Sequence, residues 1–132
     1  MKLSSLLSCL LVCLALSGCA HRRNDGWREY KVFCGMSFKD GEVTEAEWQQ
    51  FCDEHVTAAF PDGYTSFEAT GYWKGKGANT LQENSRILLI VAPADAKDKV
   101  VALARKYREL FQQEAVLVVT SAGEALFVED GP

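Results

Sequence analysis

The stretch from Phe60 to Lys74 constrains this chain more than any other. Proline cannot continue a helix, and glycine accepts the left-handed backbone of a tight turn, so Pro61-Asp62-Gly63 ends whatever helix precedes it. The residues that follow alternate. Phe67, Ala69, Gly71 and Trp73 share one face of a strand, while Tyr64, Ser66, Glu68, Thr70 and Tyr72 share the other. The first set is expected to pack beneath helices, and the second to face away from them.

Upstream, residues 27–36 alternate as a strand, with Tyr30, Val32 and Cys34 on an uncharged, core-facing side and Lys31 and Phe33 on the other. Lys39-Asp40-Gly41 gives a turn. Thr44-Glu45-Ala46-Glu47 has the spacing of a capping box, which predicts a helix over 45–59 with Trp48, Phe51, Cys52, Val56 and Ala59 as its stripe. Downstream, residues 75–84 connect to a run over 86–92 that is apolar on both faces, the signature of a central strand. A second helix is expected over 96–113, with Val100, Leu103, Ala104, Tyr107, Leu110 and Phe111 inward. A further strand over 116–120 and a short one over 125–128 complete the chain.

This order predicts the α+β class: a ferredoxin-like βαββαβ sandwich, an antiparallel sheet with two helices on one face, plus a short extra C-terminal strand. Another small α+β sandwich is the runner-up. With 132 residues, 48% hydrophobic, one domain over 27–130 is all the chain supports.

The N-terminus falls outside that domain. Met1-Lys2 and the apolar run over 3–16 read as an export signal, shorter than the roughly 20 residues needed to span a bilayer. Leu16-Ser17-Gly18-Cys19 resembles the lipobox of bacterial lipoproteins, which makes 1–18 a signal peptide and Cys19 the lipidated residue. Residues 19–26, with His21, Arg22 and Arg23, are then a polar tether. Ala20, in place of Asp, resembles the pattern sorted to the outer membrane, so the expected location is the cell envelope, on the periplasmic face of that membrane. The membrane is the partner this implies.

Several function classes are disfavoured. A net charge of -4 with no basic face argues against nucleic acid. The glycines of Gly75-Lys76-Gly77 match neither a P-loop nor a dinucleotide fingerprint, so no cofactor is expected. His55 is a lone histidine at the margin of an apolar stripe, and no His/Cys spacing suits a metal. Cys34 and Cys52 remain after the signal and the lipidated residue are set aside. They face one core in an oxidising compartment, either as a disulfide or as two separately buried small hydrophobes.

Val43-Thr44-Glu45-Ala46-Glu47-Trp48, Phe60-Pro61-Asp62-Gly63, Gly71-Tyr72-Trp73, Glu83-Asn84-Ser85-Arg86 and Gln113 before Val116-Leu117 together resemble one bacterial family, domain of unknown function 3574. The resemblance spans most of the chain beyond the tether and implies a small exported or lipid-anchored protein. Ala58 departs from it, standing where the family is expected to carry proline. The resemblance implies no activity.

Two functions follow as expectations. The first is a binding or structural module of the envelope, whose helix-free face carries Lys31, Phe33, Tyr64, Glu68, Tyr72, Arg86, Leu88 and Ile90 and takes a second copy, another envelope protein or a small ligand. The alternative is a small dimeric enzyme of isomerase-like or lyase-like acid/base chemistry, with Glu68 as base, Tyr72 as proton donor and Glu83 nearby.

Overall fold

The computed structural model describes residues 26–74, 77 and 79–128; the signal segment, Cys19 and the tether up to Asp25 lie outside the described residues. Strand β1 (Trp27–Gly35) leads into a small hairpin, β2 (Ser37–Phe38) and β3 (Gly41–Glu42). Helix α1 (Glu45–Phe51) starts on the expected capping box: the Thr44 hydroxyl accepts from the Glu47 amide, and the Glu47 carboxylate accepts from the Thr44 amide. Those bonds to the carboxylate, the backbone one foremost, hold the Glu47 carboxyl below its ordinary range.

The helix continues through a π-helical turn (Cys52–Val56) into α2 (Thr57–Ala59). Phe60 leaves helical geometry, and Gly63 takes φ 123°, the left-handed backbone its position in Phe-Pro-Asp-Gly called for. Strands β4 (Thr65–Lys74) and β5 (Thr80–Pro93) form a long antiparallel pair. A single 3₁₀ turn then enters α3 (Lys97–Leu110), and β6 (Leu117–Ala122) closes the sheet.

The sheet is four-stranded and antiparallel in the order β4-β5-β1-β6, which makes the all-apolar β5 central, as expected. One core joins it to the helices. Tyr30, Val32, Cys34, Leu88 and Ile90 of the sheet pack with Trp48, Phe51, Cys52, Val56, Val100, Leu103, Ala104 and Tyr107. Aromatic rings stitch the layers, Tyr107 lying 5.1 Å from Phe51 and 4.7 Å from Phe111 between centroids. The Tyr107 hydroxyl donates to the Gly35 carbonyl at 2.7 Å, so α3 is tied to the end of β1. Burial raises the Tyr107 hydroxyl well above its usual pKa.

Two expectations need correction. β5 begins at Thr80, so the β4–β5 connection is shorter than residues 75–84. Residues 125–128 form no strand, since Gly123 makes one backbone bond to Trp27 and the chain beyond it leaves the ladder. Cys34 and Cys52, left open between a disulfide and separate burial, are both buried and unbonded. Burial pushes both thiols up, Cys34 the more strongly, with the neighbouring Cys52 adding to its shift.

The thiols are therefore expected to resist alkylation at pH 8 in the folded protein and to react readily in urea, with Cys34 and Cys52 identified by peptide mass mapping. Thiols still blocked in urea and released only by reductant would show a bond instead. Because the unfolded chain gives up these protons first, stability should fall as pH rises above about 8.5.

Candidate functional site

Directly opposed residues in an antiparallel pair share a face, so the register decides what each side of the sheet carries. Val32 faces Leu88, Tyr30 faces Ile90 and Cys34 faces Arg86. Ser66 faces Leu88, Glu68 faces Arg86 and Tyr72 faces Gln82. These residues all lie on the helix side. The face expected to unite Lys31 and Phe33 with Tyr64, Glu68, Tyr72, Arg86, Leu88 and Ile90 is thus split. Only Lys31 and Phe33 lie on the helix-free side. Leu88 and Ile90 are core, each 0% exposed, and Tyr64 packs against the core with its hydroxyl 3.4 Å from that of Thr57.

The physical reason lies in β4. It is an edge strand whose helix-side positions project past the helical layer, so Ser66, Glu68, Thr70 and Tyr72 are solvated at the rim without leaving the helix side. Polarity reported their exposure correctly. It could not report which face was exposed.

The helix-free face is more apolar than expected. Phe67, Ile87, Phe33 and Leu117 form one row across all four strands, and Thr65, Leu89, Lys31 and Val119 form the next. Phe67, Trp73, Leu81, Val91, Leu117 and Val119 are exposed, Leu117 by 59%. Lys31 and Glu29 form an ion pair in the middle of this surface. The residues missed in the sequence, Leu81, Val91, Leu117 and Val119, had a signal in strand parity relative to β1, but that signal could be used only once the register was known.

At one end the face is clamped by Glu83, which lies opposite Gly71 on β5 and not in a loop. Its carboxylate accepts from the Trp73 indole at 2.9 Å and from the Ser37 amide at 3.4 Å. The bare Cα of Gly35 leaves room for this carboxylate: a Cβ there would lie 2.2 Å from Glu83 Oε1 and would displace it from its present bonds. Gln113 donates to the Ser37 carbonyl at 3.0 Å and secures the end of α3 against the same corner.

Across the sheet, Arg86 bonds Glu45 at 2.5 Å and Glu68 at 3.0 Å and lies 5.9 Å from the Trp48 ring centre. Both carboxylates meet its Nη2, so this guanidinium bridges helix and edge strand. An open groove of about 490 Å³ beside it is lined by Met36, Val43, Thr70 and Asn84. Glu68 borders that groove, largely exposed. Tyr72 lies two strand-face repeats further out, two-thirds exposed, so the two do not enclose a chamber. A larger groove of about 640 Å³ opens where β4 stops at Thr65 while β5 runs on, between Phe60 and Phe127. His55 packs its ring 5.5 Å from Phe51, and no cluster suited to a metal occurs among the described residues.

The model of the protein of unknown function family DUF3574 matches residues 29–127. The chain belongs to this family. The segments that carry the resemblance supply the paired clamps just described, Glu45, Trp48 and Arg86 on one side and Trp73, Glu83 and Gln113 on the other. A comparison with curated proteins finds no match. Among solved structures, a phage SAM lyase in complex with S-methyl-5'-thioadenosine is similar, with a TM-score of 0.60 and 21% identity over 74% of this chain and 81% of that one. The apo state of a phage SAM lyase gives a TM-score of 0.58 at 21% identity, covering 76% and 84%. CutA from Synechococcus elongatus gives 0.52 at 13% identity, covering 77% and 84%. At these identities the likeness concerns the fold.

Proposed function

We propose that this DUF3574 protein is a lipid-anchored module of the cell envelope that self-associates through its helix-free sheet face. The observation that carries the reading is the row Phe67, Ile87, Phe33 and Leu117 with its exposed neighbours, a continuous apolar strip with no helix over it. Surfaces of that kind on a monomer usually mark an interface. The strand order β4-β5-β1-β6 with both helices on the other face supports reading the fold as a ferredoxin-like βαββαβ sandwich, which leaves one sheet face free to pair.

A second copy fits this surface better than an unrelated partner. Strands about 4.8 Å apart and a β5 of 14 residues give a footprint on the order of 600 Å², near the about 800 Å² per partner of a stable dimer. The one ion pair on the strip, Lys31 with Glu29, is neutral as a unit, and about a two-fold axis each member can meet its opposite in the other copy.

Two measurements test the reading. A fatty-acid probe should label the wild type, and Cys19→Ser should lose both the label and membrane retention. Residues 20–132, made without the leader, should sediment as a dimer. A chain that stays monomeric at its highest soluble concentration would overturn the self-association, and an unlabelled, soluble wild type would overturn the anchor. The enzymatic alternative, with Glu68 as base and Tyr72 as proton donor, rests on likeness of fold to a lyase. It requires a second copy to close a chamber that the single chain leaves open.

A further inference from the structure

Trp27 is the first residue of β1, and at this end of the sheet it stands beside a group of apolar side chains that the fold leaves in solvent. Its ring meets Phe127 edge-on at 6.0 Å, and Leu126, Phe127 and Val128 are each more than three-quarters exposed. Val91 lies next to this corner on the same face, two positions from Pro93, the cross-strand partner of Trp27. The corner lies beyond Glu29 at the end of the face proposed for self-association, away from its central row. Phe33 is six residues along β1 from Trp27, about 20 Å at the rise of a strand.

We infer that this corner, Trp27 with Leu126, Phe127 and Val128, seats in the interfacial region of the bilayer and holds the anchored domain down on the membrane. The inference rests on the anchor reading above, and the connection to the anchor selects a lipid surface as the occupant. Residues 20–26 join Cys19 to Trp27, and a link of that length reaches at most about 25 Å when fully extended. Trp27 is where the tether enters the domain, so this corner stays within that reach of the lipid. So short a link puts the corner against the bilayer at an effective concentration in the millimolar range, about the strength at which a weak apolar contact becomes mostly occupied.

The chemistry suits the place. Tryptophan favours the headgroup level of a bilayer, where its ring is partly apolar and its N–H remains hydrated. Arg22 and Arg23 in the tether add attraction to anionic headgroups on the approach. Around the corner itself charges of both signs occur, Arg28 and Lys99 against Asp95 and Glu124, so seating depends on apolar area and should survive high salt.

The test uses the full acylated protein in vesicles of brominated phosphatidylcholine, which quenches tryptophans that reach the acyl region. Trp48 is 2% exposed in the core and out of reach, so any quenching reports Trp27 or Trp73. Wild-type emission should be quenched, and still quenched in high salt. Trp27→Phe should remove most of the quenching, whereas Trp73→Phe should leave it. Leu126→Ser with Phe127→Ser, both at exposed positions, should reduce it with Trp27 in place. Acylated protein in vesicles without quenching, or quenching lost only in Trp73→Phe, overturns the seating and leaves the anchor intact. Protein whose mass shows no acyl group overturns the anchor and the seating together.

Discussion

Leu117→Glu in residues 20–132 is expected to convert a dimer into a folded monomer. Leu117 lies on the edge strand β6 beside Phe33, at the end of the apolar row and 59% exposed in the single chain, so glutamate there meets water in the monomer. Substitutions at such positions usually change stability by no more than about 0.5 kcal/mol. In the dimer the same carboxylate would be buried against apolar side chains without a partner. An apolar side chain that anchors an interface is worth about 2 kcal/mol, a weakening of roughly 30-fold, and an unpaired buried charge adds to that. Sedimentation velocity across a dilution series measures it. Leu110→Glu on α3, also exposed but on the helix side, is the control and should leave the dimer unchanged. Equal sedimentation of Leu117→Glu and wild type as dimers would remove this strip from the interface.

Leu88→Glu is expected to do the opposite and abolish folding altogether. Leu88 is fully buried on β5, opposite Val32 on one side and Ser66 on the other. Truncating such a leucine to alanine costs about 2.7–5 kcal/mol through lost contacts and the cavity left behind. Glutamate adds the cost of a carboxylate in the core, where no arginine or lysine is buried to receive it. Small domains are stable by only about 5–15 kcal/mol in total. Urea titration followed by circular dichroism should show Leu88→Ala as a marked loss of stability and Leu88→Glu without a folded baseline. A Leu88→Glu chain that unfolds with the wild-type midpoint would mean that Leu88 faces solvent.

The contrast between these two leucines marks what could be read from the chain alone. The helix start at Thr44, the helix stop at Phe60-Pro61-Asp62-Gly63 and the central position of β5 are local properties, fixed by capping chemistry, by backbone limits on proline and glycine, and by the apolar run itself. The inward face of β1 was also legible, because Tyr30, Val32 and Cys34 form an uncharged set opposite the face that carries Glu29 and Lys31. The family resemblance was carried by the same local segments.

The faces of β4 and β5 were decided by pairing. A strand that is apolar on both sides carries no internal mark of direction, and a shift of one residue in register exchanges the two sides completely. The bonds that pair Val32 with Leu88 and Ser66 with Leu88 turned Leu88 and Ile90 inward, sent Phe67 and Trp73 to the uncovered side, and drew Arg86 to Glu45 and Glu68. The same tertiary register set Glu83 against Trp73 and the bare Cα of Gly35, three residues far apart in sequence. Elements and their ends follow from interactions within a few residues, which the sequence contains. The composition of a surface follows from which strands become neighbours, a choice made by long-range pairing and by where the helical layer stops.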